Sequence, residues 1–172
     1  MEQKEVWVGP FEKIRQISDA YDVNSIFRGG VEEETQKVFE YHPVGRDEEK
    51  DSEKILISGY DIYFDEKYHN EGLTASGLFN SLNLSEFSTR MTLQQAIDFC
   101  AKYPEHLKKG INLFDFLYGD GIPSREWVLL VSKGEDGMLS ASSLWFMNRT
   151  HFVSGTRLIV PAHEIIRREK IF

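Results

Sequence analysis

The sequence predicts an α+β fold, a mainly antiparallel sheet with two to four helices. Three observations lead to that expectation. Apolar residues recur at period two in some segments and at helical spacing in others, in the order β, α, β, β, α, α, β, β, β. Gly134-Glu135-Asp136-Gly137 lies between two runs rich in β-formers, which is a hairpin signal. Thr92 and Gln95 stand ahead of an apolar stripe as a T-x-x-Q capping box, in which side chains satisfy the open N–H groups of a helix start.

In chain order, residues 5–8 read as a short strand stopped at Gly9-Pro10. Pro10 suits a first helical turn. Phe11, Ile14, Ile17 and Tyr21 follow at helical spacing, so an amphipathic helix is predicted over 10–21. Gly29-Gly30 and the glutamates after it mark a loop. Residues 35–42 read as a strand centred on Val38 and Phe39, and 43–52 as an exposed hairpin loop. Residues 54–65 are the clearest strand of the first half. Ile55 and Ile57 alternate on odd positions, Ile62 and Phe64 on even ones, and the switch at Gly59 predicts a bulge or bend. A loop over 68–76 and a short helix within 78–87 follow.

The helix opened by Thr92 carries Leu93, Ala96, Ile97 and Cys100 on one stripe, with Pro104 and Gly110 as stop signals. The apolar run 111–118 (INLFDFLY) reads as a second, buried helix closed by Gly119-Asp120-Gly121. Strands over 127–132 and 138–146 flank the hairpin turn. A last strand spans 157–160 and ends at Pro161, and 162–168 read as a helical turn.

The length of 172 residues fits one domain over 1–172, with an acidic subdomain at 1–75 and a β-rich part at 111–172 as its candidate divisions. At 41% hydrophobic and 13% aromatic residues, global disorder is excluded. No apolar run approaches the ~20 residues of a membrane span. The start lacks an apolar leader segment, so the sequence as it stands reads as cytoplasmic, and as exported only if a leader has been removed. Cys100 is the single cysteine, which rules out an internal disulfide and a multi-cysteine zinc site.

The net charge is −8, unevenly placed. Residues 1–75 hold 18 acidic and 9 basic side chains, a net of −9; the remainder carries 10 and 11, a net of +1. Such a field repels phosphates, so direct nucleic-acid binding is not expected. It suits a protein partner with a basic surface, and Glu32, Glu33, Glu34, Asp61 and Asp65 are its candidate contacts.

Catalytic signatures are weak. Cys100 sits in an apolar helical stripe, where a free thiol behaves as a small hydrophobe. Asp61, Asp65 and His69 have the spacing of a metal-binding helix face, but the Ile62/Phe64 alternation favours a strand. They support at most a metal-assisted hydrolase as an alternative. His163-Glu164 lacks the second histidine of a zinc-protease helix, and neither a G-x-S-x-G elbow nor a phosphate loop occurs. No catalytic residue, metal or cofactor is therefore assigned. Trp145, Asn148 and Arg149 cluster with Phe146 and His151 near a strand end. Stacking and directional hydrogen bonds from such a set can hold a glycan or a protein hot spot, and these three are the candidate ligand-binding residues.

In the last third, Leu113, Leu117, Gly119, Gly121, the Asp136-Gly137 hairpin and the closing Ser154-Gly155-x-x-Leu158-x-Val160-Pro161 pattern occur in series. Residues 111–161 thereby resemble the soluble-ligand-binding β-grasp domains of polysaccharide-export and capsule-assembly proteins. Trp145 and His151 partly match a Trp-Asn-x-x-His stretch of capsule-assembly relatives, although Asn148 is not adjacent to the tryptophan. The resemblance implies a β-grasp-like C-terminal part and a non-enzymatic module for a glycan or an envelope-assembly partner. The charge division supports a different alternative: an acidic inhibitor, of the phage type, that occupies the basic surface of a nucleic-acid enzyme.

Overall fold

The computed structural model describes residues 5–12, 14, 16–40, 54–67, 72–82, 89–118 and 125–161. Its strands are β1 (Val6–Val8), β2 (Gly30–Val31), β3 (Ile55–Ile62), β4 (Leu73–Thr74), β5 (Gly110–Tyr118), β6 (Arg125–Lys133), β7 (Leu139–Trp145), β8 (His151–Phe152) and β9 (Thr156–Pro161). Its α-helices are α1 (Val23–Ile26), α2 (Glu33–Glu40), α3 (Ala75–Asn80) and α4 (Leu93–Lys102). Seven strands form one sheet in the order β1-β3-β9-β5-β6-β7-β2, and β4 pairs β8 separately. The class is α+β. The sheet is mixed rather than purely antiparallel: β5 runs parallel to β9, and β2 parallel to β7. Strands from the acidic first 75 residues and from the β-rich last third share this one sheet.

Both faces of the sheet are covered, and two cores result. Along β5, Leu113 belongs to one cluster and Phe114 to the other. The same alternation separates Val128 from Leu129 on β6 and Leu158 from Ile159 on β9. Successive strand residues point to opposite faces, so the clusters lie on opposite sides of the sheet. The larger core takes α4, α2 and Phe27 of the α1 end; the smaller takes Ala75, Leu78 and Phe79 of α3, with Phe152.

This two-sided burial corrects two expectations. Residues 111–118 are strand β5, not a helix, so the helix that the β-grasp resemblance places before the hairpin is absent there. Their apolar run is continuous because a central strand buries both faces, and periodicity alone does not separate that pattern from a buried helix. At Gly59 no bulge forms: the register with β9 runs unbroken from Ile57↔Pro161 to Ile62↔Thr156. Ile55 and Ile57 pack in the larger core, whereas Tyr60, Ile62 and Phe64 pack against the smaller one. The parity switch records a change of core along a straight strand.

Two further segments differ. Residues 33–40 form helix α2 rather than a strand, because Thr35, Val38 and Phe39 fall on one helical face and are buried together. Of the helix predicted over 10–21, the described residues form a 3-10 turn at Ile17–Asp19; Gln16 before it is extended. Phe11, Ile14, Ile17 and Tyr21 still reach the larger core. The short helix expected within 78–87 is α3 and begins earlier, with Thr74 accepting from the Gly77 N–H. The capping box at Thr92 is present in both halves, at 2.9 and 3.1 Å. The hairpin turn closes through Gly134 N–H to Met138 O, 3.0 Å. The loop expected at 43–52, the Gly119-Asp120-Gly121 turn and the helical turn at 162–168 lie outside the described residues. No helix among the described residues is long and apolar enough to cross a membrane.

Two-sided burial of β5 has a direct test. Leu113→Ala and Phe114→Ala, neighbours in sequence, are each expected to cost ~2–5 kcal/mol in urea unfolding. A one-sided strand would tolerate one of the pair.

Candidate functional site

A groove of about 510 Å³ lies between α2 and the end of β7. Its position follows from how the chain enters α2. Gly29 passes so close to β7 that a Cβ there would run into the Ser140 side chain and lie 3.0 Å from the Leu139 carbonyl. Its N–H donates to Leu139 O at 2.8 Å, and three residues on, the Glu32 N–H donates to Ala141 O at 3.0 Å. The Thr35 and Ser143 hydroxyls then meet at 2.8 Å. The acidic start of α2 is thus fixed against β7.

The opposite wall is aromatic. Trp145, the last residue of β7, pairs in register with Trp127 of β6. The chain then turns, with Asn148 N–H donating to Trp145 O at 2.8 Å. Asn148 Oδ1 accepts from the Thr150 N–H (2.8 Å) and hydroxyl (2.6 Å), the Asx-type bonding that holds a turn. Glu32, Glu34, Lys37, Trp127, Trp145 and Asn148 all line the groove. Two expectations drawn from separate parts of the sequence therefore meet: the aromatic–amide set (Trp145, Asn148) and the glutamate run (Glu32, Glu34). Glu33 and Arg149 are exposed and do not line it.

Asp61 and Asp65 are elsewhere. Asp61 is on β3, which β9, β5 and β6 separate from β7 in the sheet. Its carboxylate is bidentate on Arg157, Nε to Oδ1 at 2.6 Å and Nη2 to Oδ2 at 3.0 Å, with both side chains under 10% exposed. Arg157 Nη1 also donates to His106 O at 3.0 Å. Burial raises the Asp61 pKa, but the hydrogen bonds and charge of Arg157 outweigh it and leave the carboxyl below its ordinary value. Asp61 is therefore a structural ion-pair partner, not an open contact for a basic surface. Asp65 is exposed and accepts from the Lys67 N–H at 2.9 Å. His69 lies outside the described residues, and among those described no group of three or more metal-ligating side chains is assembled. Cys100 is buried, and that burial pushes its thiol pKa up, as expected of a core thiol.

Sequence reasoning missed one group. Asp115 sits in the centre of β5 with no exposed surface. Thr89 donates its hydroxyl to Oδ2 at 2.7 Å, and no donor reaches the buried Oδ1. The Met91 N–H donates to the Asp115 carbonyl at 2.9 Å, which ties the segment before α4 to β5. Glu126 lies diagonally across on β6, since Asp115 faces Val128 and Leu117 faces Glu126. Burial first, then the hydrogen bond and charge of Glu126, push Asp115 up to about 9 against the weaker pull of Thr89 and Arg90. The carboxyl keeps its proton at neutral pH, and a lone aspartate inside an apolar run was its only sequence signal.

No protein-family model matches the chain, and no curated protein or solved structure does either.

Two outcomes follow from these charges. Removing one member of a buried ion pair strands the other, so Asp61→Ala is expected to cost ~3–5 kcal/mol in chemical denaturation, far more than Asp65→Ala. Asp115 binds its proton more tightly in the folded chain than in the unfolded one. Its contribution is therefore full below the unfolded pKa near 4 and is lost as pH rises toward about 9. Asp115→Asn, which still accepts from Thr89, is expected to raise the melting temperature at pH 8 and flatten its decline from pH 5 to 9. An unchanged profile would remove Asp115 as its source.

Proposed function

We propose that the protein is a non-enzymatic binding module that takes its ligand or partner in the groove between α2 and the end of β7. One observation carries this reading: half-exposed Trp145 and the carboxylates of Glu32 and Glu34 line the same groove. A tryptophan held at a strand end offers a large contact area at little entropic cost, and acidic groups beside it add direction. Its backbone is fixed by the β6 register and by the turn at Asn148, which gives the preorganisation a binding site needs.

The hairpin and closing strand of the β-grasp resemblance, without its helix, favour a glycan or an envelope-assembly partner in this groove. The acidic lining favours a second reading, an inhibitor that occupies the basic surface of a nucleic-acid enzyme. The metal-assisted hydrolase is not carried forward, because the Asp61 carboxylate is committed to Arg157.

The test pairs Trp145→Ala with Trp7→Ala, an exposed tryptophan on the opposite edge strand β1. Both variants are screened on a glycan array and on a panel of basic and acidic peptides. Trp145→Ala is expected to weaken every hit by more than about tenfold, the scale of a hot-spot residue, with Trp7→Ala near wild type. Hits retained by folded Trp145→Ala would place the site elsewhere.

A further inference from the structure

We infer that the groove receives a lysine or arginine side chain from a basic segment of another protein. The inference rests on the binding-module reading and names the occupant of that same site.

The first argument comes from the aromatic side chains. Among the described residues, three tryptophans and tyrosines rank as exposed large hydrophobics: Trp7, Tyr63 and Trp145, at 50, 67 and 47%. Two of them already carry a cation. Lys54 Nζ stands 5.1 Å from the Trp7 ring centroid, and Lys108 Nζ stands 5.6 Å from that of Tyr63. These distances are within the range at which the ring quadrupole attracts an ammonium group. No described lysine or arginine covers Trp145 in this way. Its ring shares a groove with two carboxylates instead.

The second argument concerns which polar groups are left. A sugar is read by directional hydrogen bonds to its hydroxyls. In this groove two of the neutral acceptors and donors are engaged internally. The Ser143 hydroxyl is bonded to Thr35, and the Asn148 carbonyl accepts twice from Thr150. Beside the Asn148 amide N–H groups, an aromatic face and carboxylate charge remain, and that pair matches a guanidinium or ammonium group.

The third argument is electrostatic. Among the described residues Lys37 is the one cation lining the groove, and it pairs with Glu34 at 3.3 Å with both side chains exposed. Exposed pairs of this kind are weak and readily exchanged. An incoming cation can therefore take Glu34, while Glu32, whose Oε1 accepts from the Thr35 hydroxyl at 3.4 Å, offers its other carboxylate oxygen. The net charge of −9 over residues 1–75 adds long-range attraction for a basic partner.

The test titrates a hexa-arginine peptide into the full chain and follows the indole N–H signals by NMR. The variants are Trp145→Ala, the double variant Glu32→Gln/Glu34→Gln, and a control, Glu135→Gln/Asp136→Asn, at the distant hairpin turn. The expected result is a shift of the Trp145 indole signal. Affinity should fall at least fivefold in both groove variants, stay near wild type in the control, and drop steeply with salt. Equal losses in control and groove variants would mean diffuse attraction to an acidic surface and would overturn the inference. A glycan that binds through Trp145, unaffected by the double variant, would overturn this occupant and leave the binding-module reading standing. If Trp145→Ala alters neither peptide nor glycan binding, both fall.

Discussion

Burial of one sheet on both faces is the constraint on which the rest of the structure depends. A seven-stranded mixed sheet with a core on each side needs a central strand with no solvent-facing side, and β5 supplies it. Parallel pairing of β5 with β9 places these strands at the centre, as mixed sheets with helices on their faces require. The same constraint gives Asp115 its character. In a one-sided strand it would face water as an ordinary carboxylate. Here it is enclosed, and neutrality with a Thr89 hydroxyl bond is the cheaper state. The Arg157–Asp61 pair solves the same problem for a different group: a charge under a covered strand is tolerated because its partner and a backbone carbonyl come with it.

The groove arises where this arrangement runs out. At the β7 edge the sheet continues only through two-residue β2, and α2 takes over the cover. The contacts of Glu32 with Ala141 and of Thr35 with Ser143 hold the helix start down. Beyond them Trp145, the last residue of β7, is left half exposed beside α2. A rigid strand end beside a fixed helix start supports both the aromatic and the acidic wall of the proposed site.

Much of this was legible in the sequence, and the failures share a cause. The Thr92 helix, the Asp136-Gly137 hairpin and the burial of Cys100 were readable because local chemistry determines them: a cap, a turn and an apolar stripe. Residues 111–118 and the switch at Gly59 were misread because both depend on a second core, which one segment does not reveal. Val38 and Phe39 alone read as a strand centre; adding Thr35 gives the helical face. Trp145 and Glu32 were each identified as contacts, but not as neighbours. Their proximity comes from parallel pairing of β2 with β7, between residues more than a hundred positions apart, and no local pattern records that.

The central claim is that Trp145 and the start of α2 act on one occupant. A double-mutant cycle on Trp145→Ala and Glu32→Gln, read as binding free energy for an arginine-rich peptide, tests it most directly. Groups that contact the same ligand side chain are expected to couple by ~0.5 kcal/mol or more. Strictly additive losses would mean that the two walls of the groove bind separately, which contradicts the account.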